Sequence, residues 1–249
     1  MTQIVTAAIL IIGDEILSGR TKDQNIGYIA EYLTVMGIDL KEVRVVGDDE
    51  AAIVSALNAL RARYDYVFTT GGIGPTHDDI TVDCVAKAFG VAVEHHPDVV
   101  AKFEKRFGSE LNEARLRMAR FPIGAALVSN EKILAPGFML GNVIVMAGIP
   151  RIMHVMLDEV APRLKTGARI LSDTVLANAL EGDIGAPLAA IQQAHPATMI
   201  GSYPFIDDKG RPNTNLVVRS RDAQELAVAM AKVKAMIAAL PPRYPDLQT

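Results

Sequence analysis

The sequence predicts an α/β chain: a three-layer, mostly parallel sheet with helices on both faces, followed by a small α+β domain. Three observations carry this. Short apolar runs alternate with segments of helical period over residues 1–165. Polar, glycine-containing clusters follow three of those runs, where a parallel sheet binds its ligands. A Pro-Lys-Thr-Gly stretch over 162–168 then introduces a new order of strand, helix, strand, strand, helix, placed at 168–245.

The elements follow in order. Ala7–Ile12 is a continuous apolar run, as in a strand buried on both faces. Ile26, Ile29, Ala30 and Leu33 share a helical face, with Gly37 at its C-terminal end. Leu40–Val46 is a second strand, and Asp48 or Asp49 caps a helix bearing Ile53, Leu57 and Leu60. Tyr66–Thr70 is a third strand. Val82, Val85, Ala86 and Phe89 form the next helical face, stopped by Gly90, and Pro97 opens a helix through Phe107. Val143–Met146 is a late strand, and Met153, Met156, Leu157 and Val160 are the core face of its helix. In the second domain Ile170–Leu176, Thr198–Tyr203 and Leu216–Arg219 are strands. Ile184, Leu188 and Ile191 mark one helix there, and Leu226, Met230, Val233, Ile237 and Leu240 the other. Asp207–Pro212 is the hairpin turn, and Pro241–Thr249 is a tail.

Composition narrows the function classes. With 50% hydrophobic and 22% charged residues among 249, the chain is an ordinary globular protein and not a disordered one. Its net charge of −4 and 5% aromatic content argue against nucleic acid as a partner. The single cysteine, Cys84, makes no internal disulfide and is expected to be buried. The start, Met-Thr-Gln-Ile-Val, lacks a basic leader, and no apolar run is long enough to span a bilayer. A cytoplasmic location without membrane contact is expected.

Chemistry is expected at the three strand ends. The first cluster is Gly13-Asp14-Glu15 with Ser18-Gly19, Asp23 and Asn25. Turn formation and helix capping account for single members, but the density of small and acidic residues favours a site. The second, Gly47-Asp48-Asp49-Glu50, needs nothing beyond a helix cap when taken alone. The third, Thr70-Gly71-Gly72-Ile73-Gly74-Pro75-Thr76-His77-Asp78-Asp79-Ile80-Thr81, is the strongest. Its glycines allow close backbone approach, and its amides run into a helix N-terminus, which suits a phosphate. Asp78 and Asp79 would repel that phosphate, so a divalent cation such as Mg2+ is expected between them. Glycine-rich turning with an Asp79 helix cap explains only a few of these residues. On this reading, valine at Gly72 or Gly74 fills the phosphate space and abolishes binding without unfolding the chain. His77 reads as a surface group, and His95 and His96 as residues at an exposed helix N-terminus.

These motifs resemble the molybdopterin-binding (MoaB/Mog-like) domain family, and within it the N-terminal region of CinA-type proteins. The resemblance spans residues 4–165 and adds Asp48-Asp49, Asn130, Ala135-Pro136-Gly137-Phe138, Gly148-Ile149-Pro150 and Met153 to the clusters above. Residues 166–245 resemble the small domain that follows in such proteins. The chain has Ala147 where the family often has a proline.

The resemblance implies a pterin or nucleotide phosphate held by Gly13, Asp14, Glu15, Ser18, Gly19, Asn25, Thr70, Gly71, Gly72, Gly74, Thr76, Asp78, Thr81, Pro136, Gly137 and Gly148. It implies catalytic roles for Asp49 and Asp79, and Mg2+ held by Asp49, Asp78 and Asp79. The implied chemistry is Mg-dependent work on pyrophosphates: hydrolysis of ADP-ribose-type substrates, or adenylyl transfer to molybdopterin. The alternative is a non-catalytic molybdopterin- or nucleotide-binding module of molybdenum cofactor metabolism. Relatives imply a homo-oligomer, dimer or trimer. Neither the amidohydrolase domain of longer CinA proteins nor the nucleotide-transfer domain of eukaryotic FAD synthases has a counterpart in these residues, so neither activity is expected of them.

Overall fold

The computed structural model describes residues 3–129, 131, 133–241, 243 and 244. Asn130 and most of the tail beyond Pro241 lie outside them. The chain divides into two compact units, residues 1–167 and 168–249.

The first unit begins with β1 (Val5–Ile12), followed by the short α1 (Asp14–Leu17), α2 (Asn25–Val35) and β2 (Ile38–Val46). Then come α3 (Glu50–Arg61), β3 (Tyr66–Thr70) and α4 (Thr81–Phe89). An excursion follows: β4 (Val93–His95), α5 (Pro97–Phe107), α6 (Glu113–Arg117) and β5 (Arg120–Pro122). The unit closes with β6 (Ala126–Val128), β7 (Gly137–Leu140), β8 (Val143–Met146) and α7 (Pro150–Val160).

The central sheet runs β2-β1-β3-β8-β7-β6. β2, β1, β3 and β8 are parallel, while β7 and β6 join antiparallel at one edge. Alternation along β1 shows why three layers form. Ala8, Leu10 and Ile12 pack with Ile53, Leu57, Val85 and Phe103 on one side. Ala7, Ile9 and Ile11 pack with Ile29, Leu33, Met156 and Leu157 on the other. A strand buried on both faces has no solvent side, so its sequence is a nearly continuous apolar run, broken here only by Thr6 near its start. β2 lies at the edge and carries Lys41, Glu42 and Arg44, charges that discourage pairing with another chain. Its register with β1 slips between Ala7 and Ala8, leaving Lys41 as the extra residue.

The helix ends are set locally. Gly90 closes α4 at φ 68°. Pro97 stands in the first turn of α5, as its fixed φ allows. His95 is exposed, but His96 is half-buried, its ring edge-on to Phe121. That corrects the expectation that both histidines lie at an exposed helix end: β4 pairs with β5 and brings Phe121 against the ring. Cys84 is buried, as expected, and burial pushes its thiol up to about 12, with Glu50 and Asp83 adding to the rise.

The second unit contains β9 (Leu171–Leu176), α8 (Glu181–Ala194), β10 (Met199–Ile206), β11 (Pro212–Ser220) and α9 (Ala223–Ala238). Its antiparallel sheet has the order β10-β11-β9. Ile184 and Leu188 of α8 join Met230, Val233 and Ile237 of α9 over Leu216 and Val218. Both β10 and β11 extend further toward the hairpin than the apolar runs suggest. Asp207 explains this: its carboxylate accepts from the Lys209 and Arg211 amides, each at 2.9 Å, so the ladder continues to the turn. Pro204 is tolerated because β10 is an edge strand.

Candidate functional site

The four parallel strands bring their C-terminal ends to one edge of the sheet, and the glycines there splice the loops together. The Gly13 amide donates to Val46 O at 3.0 Å and the Gly71 amide to Met146 O at 3.2 Å. Gly71 has φ 102°, and a Cβ there would stand 2.1 Å from Ile12 O. No other residue type fits that combination.

Four carboxylates face this edge. Asp14 and Asp48 clasp each other's loops: the Asp14 amide donates to Asp48 Oδ2 at 3.0 Å, and the Asp48 amide to Asp14 Oδ1 at 3.4 Å. Gly47 permits the clasp, since a Cβ there would meet Asp14 Oδ1 at 2.3 Å. Burial raises the Asp48 carboxyl, and the charges of Asp14, Glu15 and Asp78 raise it further, against the downward pull of the Asp14 amide. Asp49, by contrast, caps α3 by accepting the Ala52 amide at 2.8 Å. The cap expected from local sequence is therefore Asp49, and Asp48 is the carboxylate grouped with other acids.

The glycine loop folds around Asp79. Its Oδ1 accepts the Gly74 amide at 2.7 Å, and its Oδ2 accepts the Thr76 amide at 2.8 Å and hydroxyl at 2.5 Å. Asp79 does not cap α4, whose N-cap is Ile80. Thr81 ties the loop to α4: its hydroxyl donates to Gly71 O and its amide to Gly72 O, both at 3.0 Å. Thr81 is fully buried, so its hydroxyl serves the loop. A Cβ at Gly72 would meet Thr81 Oγ1 at 2.1 Å, and one at Gly74 would meet Asp79 Oδ2 at 2.6 Å. The expected harm of valine at these positions thus has a different origin: the side chain would strike the loop's own braces before any phosphate space. Arg117, which sequence reasoning missed, reaches from α6 to donate to Asp79 O at 3.3 Å. Its partner is remote in the chain, so no local pattern could announce it.

Beside the loop lies a cleft of about 170 Å³. Ile11, Ile12, Ile16 and Pro150 form apolar walls, while Glu15, Lys22, Asn25, Thr70, Gly71 and Gly148 supply polar or backbone lining. Asp23, just before the Gln24 N-cap, accepts the first two amides of α2, those of Asn25 and Ile26, on Oδ1 at 3.1 and 2.8 Å. Asn25 is buried, and its Nδ2 donates to Gly148 O at 2.9 Å.

The fold therefore gathers Asp14, Glu15, Asn25, Thr70, Gly71, Gly72, Asp78 and Gly148 at one edge. Ser18 and Gly19 lie at the exposed end of α1 and do not line the cleft. Pro136 and Gly137 do not line it either; Gly137 is buried in β7, where a Cβ would meet Val145 O at 2.3 Å. Among the described residues, no group of three or more His, Cys, Asp or Glu is placed so as to hold a metal ion. Asp49, Asp78 and Asp79 are thus not assembled into a ready-made centre, because a helix cap and a loop occupy two of them. His77 is exposed, as expected of a surface group. No helix among the described residues is long and apolar enough to cross a membrane.

Comparison with known proteins agrees with this architecture. Residues 8–166 match the family described as probable molybdopterin binding domain, and residues 169–241 match the middle domain of FAD synthase. The solved structure of the protein CinA from Thermoplasma acidophilum superposes with a TM-score of 0.60 at 33% identity, covering 64% of this chain and 98% of that one. A CinA-like protein of Citrifermentans bemidjiense is 34% identical over 254 residues, covering 93% of this chain and 58% of its own length. A "Probable FAD synthase" of Caenorhabditis elegans is 29% identical over 265 residues, covering 96% of this chain and 51% of its own length. The chain thus spans about half of these longer relatives. With the family match running through nearly all of the first unit, the chain belongs to the molybdopterin-binding domain family, in its CinA-like form.

Proposed function

We propose that the first unit binds the phosphate of a pterin or adenine nucleotide at the glycine loop and, with a divalent cation, acts on a phosphoanhydride. The observation that carries this is the convergence of Asp14, Glu15, Asp48 and Asp78 on the edge that also presents the loop and the cleft. The charges of Asp14, Glu15 and Asp78 raise the proton affinity of Asp48, and a carboxylate group of this kind is a poor phosphate site unless a cation intervenes. Oxygen donors suit magnesium, which commonly takes one or two carboxylates and completes its shell with waters and substrate phosphate. Asp48 and Asp78 would hold the ion, which when bound supplies neutralisation of charge developing on phosphate oxygen. Asp79 holds the loop amides in register, and Gly71 lets the backbone approach. In the hydrolytic form a water oxygen bonds to phosphorus and the bridging P–O bond breaks, giving two monophosphates.

A second reading has its own support. Asp79 commits both oxygens to the loop, as a structural carboxylate in a binding module would. The deciding experiment follows AMP release from ADP-ribose and adenylyl transfer from ATP to molybdopterin, each with and without magnesium. A magnesium-dependent turnover that Asp48→Asn reduces at least 100-fold supports the enzyme. Ligand binding without turnover, unaffected by magnesium, assigns the site to the binding module. Sedimentation of the purified chain tests the accompanying proposal of a dimer or trimer.

A further inference from the structure

A second concavity lies away from the strand ends, and helix α2 builds most of it. Ile29 and Leu33 of α2 are fully buried in the core. Tyr28, Tyr32 and Val35 recur at helical spacing on another side of the helix, and that stripe is only partly covered, with Val35 61% exposed. Together with Met36, and with Ala161 and Pro162 just after α7, these side chains line a groove of about 610 Å³. A small-molecule pocket typically measures ~300–1,000 Å³. None of the groove's residues belongs to the cleft or to the glycine loop.

The groove has aromatic walls and negative charge. The Tyr28 and Tyr32 rings stand 6.1 Å apart at a tilt of 36°, and His154 of α7 stacks on Tyr28 at 3.5 Å. The Tyr32 hydroxyl hydrogen-bonds to the Asp158 carboxylate. Burial, with that carboxylate, pushes the phenol up to about 12, so it stays neutral at physiological pH. Glu31 lines the groove, exposed and without an ion-pair partner among the described residues. No Lys or Arg is among the described lining residues, and Arg163, next to Pro162, turns its guanidinium to Leu127 O and Glu159. Tyrosine rings attract a cation through their quadrupole, and the Glu31 and Asp158 carboxylates attract it by charge. A second copy of the chain fits poorly: a two-fold dimer through this patch sets Glu31 toward its own copy. A protein interface also needs roughly 20–30 residues a side, and seven line this groove. We infer that the groove binds a small organic cation, an alkylated ammonium with an apolar or aromatic body. Its charged head lies at Glu31, and its body lies against Tyr28, Tyr32, Val35 and Met36.

The test is a titration of the full chain followed by NMR through the methyl signals of Val35 and Met36. Three probes separate charge from bulk. Benzyltrimethylammonium has both, 4-tert-butylbenzyl alcohol has the bulk without the charge, and tetramethylammonium has the charge without the aromatic body. Benzyltrimethylammonium should shift both methyl signals and bind about tenfold tighter than either of the others. That is the scale of one cation over an aromatic face in a partly desolvated site, and of burying one ring. Glu31→Gln should weaken the benzyl cation about threefold or more and leave the alcohol within about twofold. Glu31→Lys should abolish the cation's shifts. Glu31 is exposed, so neither change disturbs packing, and the methyl spectrum without probe verifies the fold. The wild-type comparison of the three probes stands by itself if a variant does not fold. No methyl shift from the benzyl cation overturns the inference, as does equal affinity for the alcohol. Cation binding that survives in Glu31→Lys overturns it too. Methyl shifts that grow with protein concentration alone would assign the groove to self-association and likewise overturn it. The probes carry no phosphate, so these outcomes are independent of the reading of the glycine loop.

Discussion

Replacing Asp79 with asparagine separates a carboxylate that folds the loop from one that reacts. In the structure Oδ1 accepts one amide, from Gly74, and Oδ2 accepts the Thr76 amide and hydroxyl. Asparagine offers an acceptor on one side only, so its NH2 must face a donor at the other. One backbone bond is lost outright, and those that remain lose charge assistance, which roughly doubles such bonds. Taking about 1.5 kcal/mol for the lost bond, the low end for a half-exposed charged acceptor, and about half that for the weakened remainder, the loop loses about 2 kcal/mol. That corresponds to about a 30-fold shift in its local opening equilibrium. The effect is local, so amide hydrogen exchange reads it better than a melting temperature. The Gly74 and Thr76 amides should exchange about 30-fold faster in Asp79→Asn, while amides of β1 keep their wild-type rates. Unchanged exchange at both loop amides would refute the claim that this carboxylate organises the loop. Turnover lost without any change in loop exchange would give Asp79 a direct catalytic role instead.

Other perturbations test neighbouring parts of the argument. Gly71→Ala combines φ 102° with a 2.1 Å approach to Ile12 O, and should cost at least about 2 kcal/mol in urea unfolding. Wild-type stability would contradict the splice between β1 and β3. Asp48 has its carboxyl raised in the folded state, so the stability tied to its protonated form is present at low pH and lost as pH rises through the folded value. Asp48→Asn, measured without divalent cation, should therefore be stabilising near neutrality and gain little at acid pH; a penalty constant across pH would show that the acids do not repel. Phe103→Ala empties a fully buried site between α5 and the sheet and should cost about 3–5 kcal/mol by calorimetry, with a smaller loss indicating that the excursion packs loosely.

What the sequence revealed and what it hid divide along physical lines. β3 and β8 occupy Tyr66–Thr70 and Val143–Met146 as expected, because strands covered on both faces carry a short run of apolar and β-branched residues with no charge, and that is a local property. In the excursion the sequence shows α5, which Pro97 opens, but not the short strands there or in the segment after it. β4, β5 and β6 are three residues each, too short for any period to show, and they exist because partners elsewhere in the chain complete them. The site shows the same split. Glycines 71, 72 and 74 and the nearby aspartates are visible because a loop that bends and approaches closely needs those residue types in sequence. Which aspartate does what is not visible. Asp48 and Asp49 are adjacent and chemically equal, yet one caps α3 and the other joins Asp14, Glu15 and Asp78. That choice is made by the direction in which β2 delivers the chain, and by Gly47, whose missing Cβ leaves room for Asp14 Oδ1. In sequence Gly47 reads as one more turn residue. Its role exists only after two parallel strands have placed their ends together, so the acidic edge is a property of strand order before it is a property of any motif.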